Sequence, residues 1–334
     1  MGPIPPGLAP DGPLVTADWL QHNLADPRVR VLDVRGRHPS SPLPHAKHTE
    51  YAAGHIPGAV FVDWEHDFVD GDDPVPVQIA GADAFAARAG ELGIGDQDLV
   101  VTYDDYYGIF AARMAWAFRY YGADSRVLDG GWTSWAETGR PISTETVVAE
   151  RRRFNARPRA RLRRTLAEVE QARAGGAAFV DARSRHLFLG ERGAANTGHI
   201  PGSRCLPYQE RVDGATGVWT SPDAIRRLVR DAGIDPDRPP RELIATCGSG
   251  VSATVALLSL ERIGIHADGV YDKPTEMPVT RSRQERLLRQ VVMPRMRQAR
   301  TGQPESPGRG RSGRRGASSA GRRGCRACAR HVRR

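Results

Sequence analysis

The stretch of this chain best suited to chemistry reads Ala245-Thr246-Cys247-Gly248-Ser249-Gly250-Val251-Ser252-Ala253-Thr254. A β-branched run, Leu243-Ile244-Ala245-Thr246, leads into it, and an apolar helical pattern follows. A cysteine at a strand end, facing the backbone N–H groups that open a helix, sits in a field that favours negative charge. Its thiolate is expected to persist at neutral pH and to act as a nucleophile. Gly248 and Gly250 are expected to let the backbone curl around the sulfur without side-chain clashes. Ser249 and Ser252 add hydroxyl donors. Gly248, Ser249, Gly250, Val251 and Ser252 are thus the candidate cradle for a persulfide or an anionic substrate. A buried, inert cysteine is the alternative for any single loop of this type.

A repeat decides between the two. Val31-Leu32-Asp33-Val34-Arg35 returns as Phe179-Val180-Asp181-Ala182-Arg183, and Gly54-His55-Ile56-Pro57-Gly58 returns unchanged at Gly198–Gly202. Helix starts at Thr16 and Thr165 precede each Asp-x-Arg strand. The segment Gly108–Gly122 matches Gly250–Gly264 in length and apolar pattern. Aligning the two helix glycines places Asp105 opposite Cys247, so the fold does not require cysteine there and one copy alone carries a nucleophile. Short β-branched runs alternating with helical patterns predict α/β architecture, each copy a parallel sheet flanked by helices. Ligands of such sheets bind beyond the carboxyl ends of the strands.

The chain has 334 residues, enough for roughly two domains. The expected division is a first domain over 10–142, a linker over 143–164, a second, catalytic domain over 165–272 and a disordered, basic tail over 273–334. In the linker, Arg151-Arg152-Arg153-Phe154 and Arg157-Pro158-Arg159 point to an extended surface segment running back over the first domain, with the charge run read as solvated. The net charge of +9 divides into +15 for residues 273–334 and −6 for the first 272. The basic balance is therefore a property of the tail and not of a nucleic-acid-binding fold. Low hydrophobicity and excess charge predict disorder after Asp272. Arg309–Arg323 is read as an incidental tail, without specific nucleic-acid partners. No apolar run approaches the roughly 18 residues of a membrane span. Met1–Ala17 lacks the basic flank and apolar core of a signal peptide. Four cysteines are too few for a disulfide scaffold, which points to a reducing, cytoplasmic setting. No Cys/His cluster in the body has zinc-ligand spacing, and the lone Cys325-x-x-Cys328 pair is assigned no metal or redox role.

The two GHIPG segments, the Asp-x-Arg strands, Leu128-Asp129-Gly130-Gly131-Trp132 and the Cys247 loop together resemble tandem rhodanese-domain sulfurtransferases over about residues 10–272. The resemblance implies two rhodanese-like domains, the first catalytically silent. In the second, the cysteine takes sulfane sulfur as a persulfide and passes it to a thiol, cyanide or thioredoxin-like acceptor, with no metal or organic cofactor. Cys-Gly-Ser-Gly-Val-Ser is similar to the 3-mercaptopyruvate sulfurtransferase loop. The thiosulfate branch usually carries Cys-Arg-Lys-Gly-Val-Thr, so thiosulfate:cyanide transfer is the second reading. A weak persulfide carrier is the third. Ala253 stands where a related phosphatase branch needs arginine, which argues against phosphatase chemistry. A monomer is expected.

The chain departs from that family in three places. The usual Arg-aromatic-Arg-Gly element, whose first arginine clamps the substrate carboxylate, reads Leu187-Phe188-Leu189-Gly190. Arg185 or Arg192 is expected to substitute as a fork donor. A proton-relay histidine of the mercaptopyruvate branch reads Val77, leaving Asp63 and Glu65 as candidates to face the site. The Gly-x-Trp-x-x-Trp element that closes the first copy is replaced after Asp272 by Lys273-Pro274-Thr275-Glu276, the expected mark of a frame-disrupted or fused terminus. His55 and His199 are expected to hold their turns, the Asp-x-Arg pairs to form strand-end ion pairs, and Cys205, Met114, Trp116 and Phe118 to pack in the core.

Overall fold

In a computed structural model, the described residues are 11–38, 41–190 and 198–272. Arg192, the tail over 273–334 and the Cys325/Cys328 pair lie outside them.

Two parallel sheets carry the fold. The first half runs β1 (Leu14–Val15), α1 (Ala17–Asn23), β2 (Val29–Asp33), α2 (His48–Ala53), β3 (Val60–Phe61), α3 (Ala82–Glu91), β4 (Leu99–Tyr103), α4 (Ile109–Tyr120), β5 (Asp124–Leu128) and α5 (Gly131–Glu137). The second runs α6 (Leu166–Ala174), β6 (Ala178–Asp181), α7 (Arg185–Leu189), β7 (Arg204–Cys205), α8 (Pro222–Asp231), β8 (Leu243–Thr246), α9 (Ala253–Glu261) and β9 (Val270–Tyr271). Strand orders are β1-β5-β4-β2-β3 and β7-β6-β8-β9. The second sheet thus repeats the first, with its β1 counterpart reduced to a single parallel bridge between Arg163 and Val270.

Local sequence explains the elements. Thr16 and Thr165 cap α1 and α6 through their side chains, and Glu168 completes a capping box on Thr165. β4 and β8 are buried at every residue, as parallel strands covered on both faces must be. Helices α4 and α9 are buried nearly all round, because they sit between the two halves and have no solvent face. There Arg119 and Glu261 pair at 2.7 Å. One apolar core runs through both halves, including Phe85, Phe118, Ile225 and Leu260.

The halves also exchange hairpins. The first half's hairpin, bridged Val69 to Ile79, lies against the Cys247 loop through Gln78, which donates to the Ser249 carbonyl at 3.2 Å. The second half's hairpin, bridged Val212 to Trp219, lies against the first half, where the Trp219 N–H donates to Asp129 at 2.8 Å.

The linker runs back across the first half with Arg151, Arg152, Arg153, Arg157 and Arg159 exposed, as expected of a solvated charge run. Arg152 pairs with Asp98 at 2.9 Å, Asn155 bonds Asp96, and Phe154 is buried beside Phe85 and Phe118. Phe154 is the buried apolar anchor of this otherwise exposed segment.

Candidate functional site

Cys247 follows β8 at its carboxyl end, is 3% exposed, and its Sγ accepts the Gly250 N–H at 3.1 Å. Gly250 has φ +84°, and a Cβ there would overlap Asp272 Cβ and lie 2.9 Å from Arg113 Nη1. Glycine is therefore required at 250 both for backbone conformation and for space. Gly248 is different: nothing lies near its Cβ position and its φ is not left-handed. The expectation that both glycines are needed holds for Gly250 alone. Ser252 is the residue before α9, and Val251 is buried under the loop. The loop thus turns sulfur toward the opening of a helix, an arrangement suited to negative charge.

The loop of the first half corrects the alignment of the copies. Asp33 pairs with Tyr103 as Asp181 pairs with Thr246, so Asp104, not Asp105, occupies the position of Cys247. The first loop is one residue longer, which is why matching the helix glycines misses this register. The Asp104 carboxylate accepts N–H bonds from Tyr106, Gly108, Phe110 and Ala111 at 2.9–3.0 Å. Burial pushes Asp104 up to about 7 while those donors pull it down. Asp105 instead pairs with Lys47 at 2.6 Å. A carboxyl raised from 3.8 in the unfolded chain to about 7 in the folded one binds extra proton when folded, so it destabilises progressively from pH 4 to 7. We expect Asp104→Asn to flatten the fall in urea-unfolding midpoint between pH 5 and pH 7.5. An unaltered pH slope would assign that fall to other groups.

Of the two arginines expected at the substrate carboxylate, the structure describes Arg185. Arg185 is exposed and forks onto Glu210, Nε to Oε1 at 2.9 Å and Nη2 to Oε2 at 3.1 Å. Arg192 lies outside the described residues. Val77 offers no proton relay: it holds φ +56° and turns its carbonyl to accept from Arg113 Nη2 at 3.3 Å. Of the two relay candidates, Glu65 bonds His45 and Asp63 bonds the Glu65 N–H and His66, all within the first half.

The other repeated residues hold the scaffold. Arg35 and Arg183 each fork onto their strand-end aspartates and donate to the carbonyls of Gly54 and Gly198. His55 and His199 bond the carbonyls of Tyr51 and Phe188 and stack on those rings. Cys205 and Thr246 pair with opposite sides of Asp181, so two strand spacings, roughly 10 Å, separate Cys205 from the end of β8. That exceeds disulfide reach. Burial also pushes the Cys205 thiol up to about 11. Among the described residues, no group of three or more His, Cys, Asp and Glu is placed to hold a metal, and no helix is long and apolar enough to cross a membrane.

Sequence reasoning missed the residues that the first half brings to the loop. Gln78 donates to the carbonyls of Ser249 and Asp272 and accepts from Arg163 at 2.9 Å. Asp272, 1% exposed, receives both Arg163, at 3.1 Å, and Arg113, at 3.4 Å. The available signal was the repeat itself, since Val270-Tyr271-Asp272 answers Val127-Leu128-Asp129.

Two sheets with paired loops, one of them armed with a cysteine, define the class as a two-domain sulfurtransferase. Residues 16–138 match the rhodanese-like domain. The chain is 34% identical over 271 residues to 3-mercaptopyruvate sulfurtransferase of Mus musculus, covering 78% of this chain and 89% of that one. It is also 34% identical over 247 residues to the sulfur carrier protein TtuD of Thermus thermophilus, covering 70% and 82%. The crystal structure of SseA from Escherichia coli, a 3-mercaptopyruvate sulfotransferase, superposes with TM-score 0.71 at 30% identity, covering 78% of this chain and 98% of SseA. The chain belongs to the family of 3-mercaptopyruvate and thiosulfate sulfurtransferases, enzymes built on the rhodanese fold.

Proposed function

We propose that the chain transfers sulfane sulfur from 3-mercaptopyruvate through a persulfide on Cys247 to a thiol, cyanide or thioredoxin-like acceptor. The observation that carries this reading is the placement of Sγ at a strand end, bonded by the Gly250 N–H in a loop without cations of its own. The thiolate attacks the donor's sulfur, an S–S bond forms, the C–S bond breaks, and its electron pair leaves as pyruvate enolate. With thiosulfate the departing group is sulfite. An acceptor thiolate then attacks the outer sulfur and releases Cys247 as thiolate. Cys247, 3% exposed at the head of the loop, is the nucleophile, and Gly248, Ser249, Gly250, Val251 and Ser252 form the cradle. Similarity to a sulfur carrier protein supports a second reading, in which the persulfide is delivered to a protein acceptor and small-molecule turnover is slow. The chain is read as a cytoplasmic monomer: both described cysteines are free thiols, and the first half supplies the inter-half contacts to the loop.

Donor choice is tested by turnover of 3-mercaptopyruvate and of thiosulfate with cyanide. A higher kcat/KM for 3-mercaptopyruvate supports the first reading. A higher value for thiosulfate replaces it, and single-turnover loading without multiple turnover favours the carrier.

For the donor carboxylate we propose Arg185, with Glu210 as its resident competitor. An exposed fork pair is worth no more than about 1 kcal/mol, so exchange of one carboxylate for another is inexpensive. We expect Arg185→Ala to raise the KM for 3-mercaptopyruvate by up to about fivefold and Glu210→Gln to lower it, with kcat little changed. Equal KM values in all three proteins would remove Arg185 from the site.

A further inference from the structure

We propose that Arg113, carried by the first half, is a positioning residue for sulfur transfer: it supplies from across the interface the positive charge that holds Cys247 and its bound sulfur as anions. This rests on the persulfide reading above, and extends it to a residue of the silent half.

The argument is geometric. Arg113 projects from α4, is 8% exposed, and lies with its guanidinium 4.4 Å over the Trp116 ring. Nη2 is used by the Val77 carbonyl at 3.3 Å and Asp272 at 3.4 Å. Nη1 is buried and has no hydrogen-bond partner. It lies 2.9 Å from the Cβ position of Gly250, the residue whose N–H bonds Cys247 Sγ. An unpartnered buried donor of a charged group is costly unless something answers it. Asp272, which bonds Nη2, is shared with Arg163, and the charge on Cys247 also acts on this guanidinium.

Charge balance points the same way. The groups around the loop are Arg113 from α4, Arg163 from the linker, Asp181 at the end of β6 with Arg183 just after it, and Asp272 after β9. Three guanidiniums meet two carboxylates, because Arg113 and Arg163 share Asp272. Asp67, which lines a small cavity of about 20 Å³ with Arg113, is already paired with Arg88 at 2.9 Å. Burial lowers the Arg113 guanidinium, Asp272 raises it, Arg163 lowers it, and the charge on Cys247 raises it. The loop itself has no Arg or Lys. The cation enters from the other half, which gives the silent half a part in the chemistry.

The test uses the full chain and reads the pH profile of iodoacetamide alkylation at Cys247 by peptide mass spectrometry. Arg113→Met keeps an apolar stem over Trp116 and removes the charge. We expect its alkylation midpoint to rise by about one pH unit, which is about tenfold slower alkylation on the acid side. Arg113→Lys should recover most of the shift. Asp272→Asn, which releases Arg113 and Arg163 from their shared carboxylate, should move the midpoint down. A merely structural role predicts shifts of the same sign in Arg113→Met and Asp272→Asn, and that result overturns the proposal. So does a folded Arg113→Met protein whose profile superimposes on the parent's. Should Arg113→Met not fold, an unmoved or raised midpoint in Asp272→Asn decides against it. Failure of the persulfide reading is seen separately, as sulfur transfer that survives in Cys247→Ser.

Discussion

Cys247→Ser is expected to lower sulfur transfer by ~10³-fold or more with either donor, while leaving the unfolding transition within about 1 kcal/mol of the parent. The first half of that expectation follows from nucleophilicity. A serine hydroxyl is a far weaker nucleophile than a thiolate without a base to activate it, and both carboxylates placed around the loop, Asp181 and Asp272, are engaged by arginines. The second half follows from size. Oxygen is smaller than sulfur, the site is a loop, and the Gly250 N–H still finds an acceptor. The check is cyanide-dependent turnover together with intact-protein mass spectrometry after donor treatment. The parent should gain one sulfur atom and the variant none. Transfer persisting in a folded Cys247→Ser protein would move the chemistry to another residue.

Gly250→Ala is expected to cost roughly 2–5 kcal/mol and to abolish loading of Cys247. Two independent penalties add. Alanine at φ +84° is strained, and its Cβ has no room between Asp272 and Arg113. Relief requires the Cys247 loop to withdraw from the Asp272–Arg113–Arg163 network, which also displaces the N–H that bonds Sγ. Gly248→Ala is the control. Its Cβ position is open, and the substitution should stay within about 1 kcal/mol and retain loading. Urea unfolding and persulfide mass analysis of both variants separate the outcomes. Comparable behaviour of the two would show that loop flexibility, not the close approach at 250, governs the site.

Much of the fold is legible in the sequence because the chain states it twice. The GHIPG turns, the Asp-x-Arg strand ends and the Thr-capped helices each occur in two ordered copies, and each copy forms a parallel sheet. Cys247 is legible for the same reason, as a difference between otherwise matching loops. What was not legible is whatever depends on pairing across the halves. Arg113 sits in an apolar helix pattern and gives no local sign that its guanidinium reaches residues more than a hundred positions away. Gln78 looks like a loop residue until the hairpin carrying it is seen against Ser249. Arg185 is legible as a fork donor, but Glu210, the carboxylate it forks onto, is contributed by a separate turn and gives no sign in the local sequence. The register of Asp104 was hidden by one extra residue in its loop, which shifts a glycine-based alignment without disturbing the strands.

The two loops differ in how they are filled. Asp104 gathers four N–H groups onto one internal carboxylate, whereas Cys247 Sγ receives one, from Gly250. The first loop therefore carries its own internal acceptor, in the place that a sulfur added to Cys247 would take in the second. A persulfide would stay bonded to Cys247 in the unfolded chain, so loading would stabilise the second half only by as much as the folded loop favours its charge over that of the bare thiol.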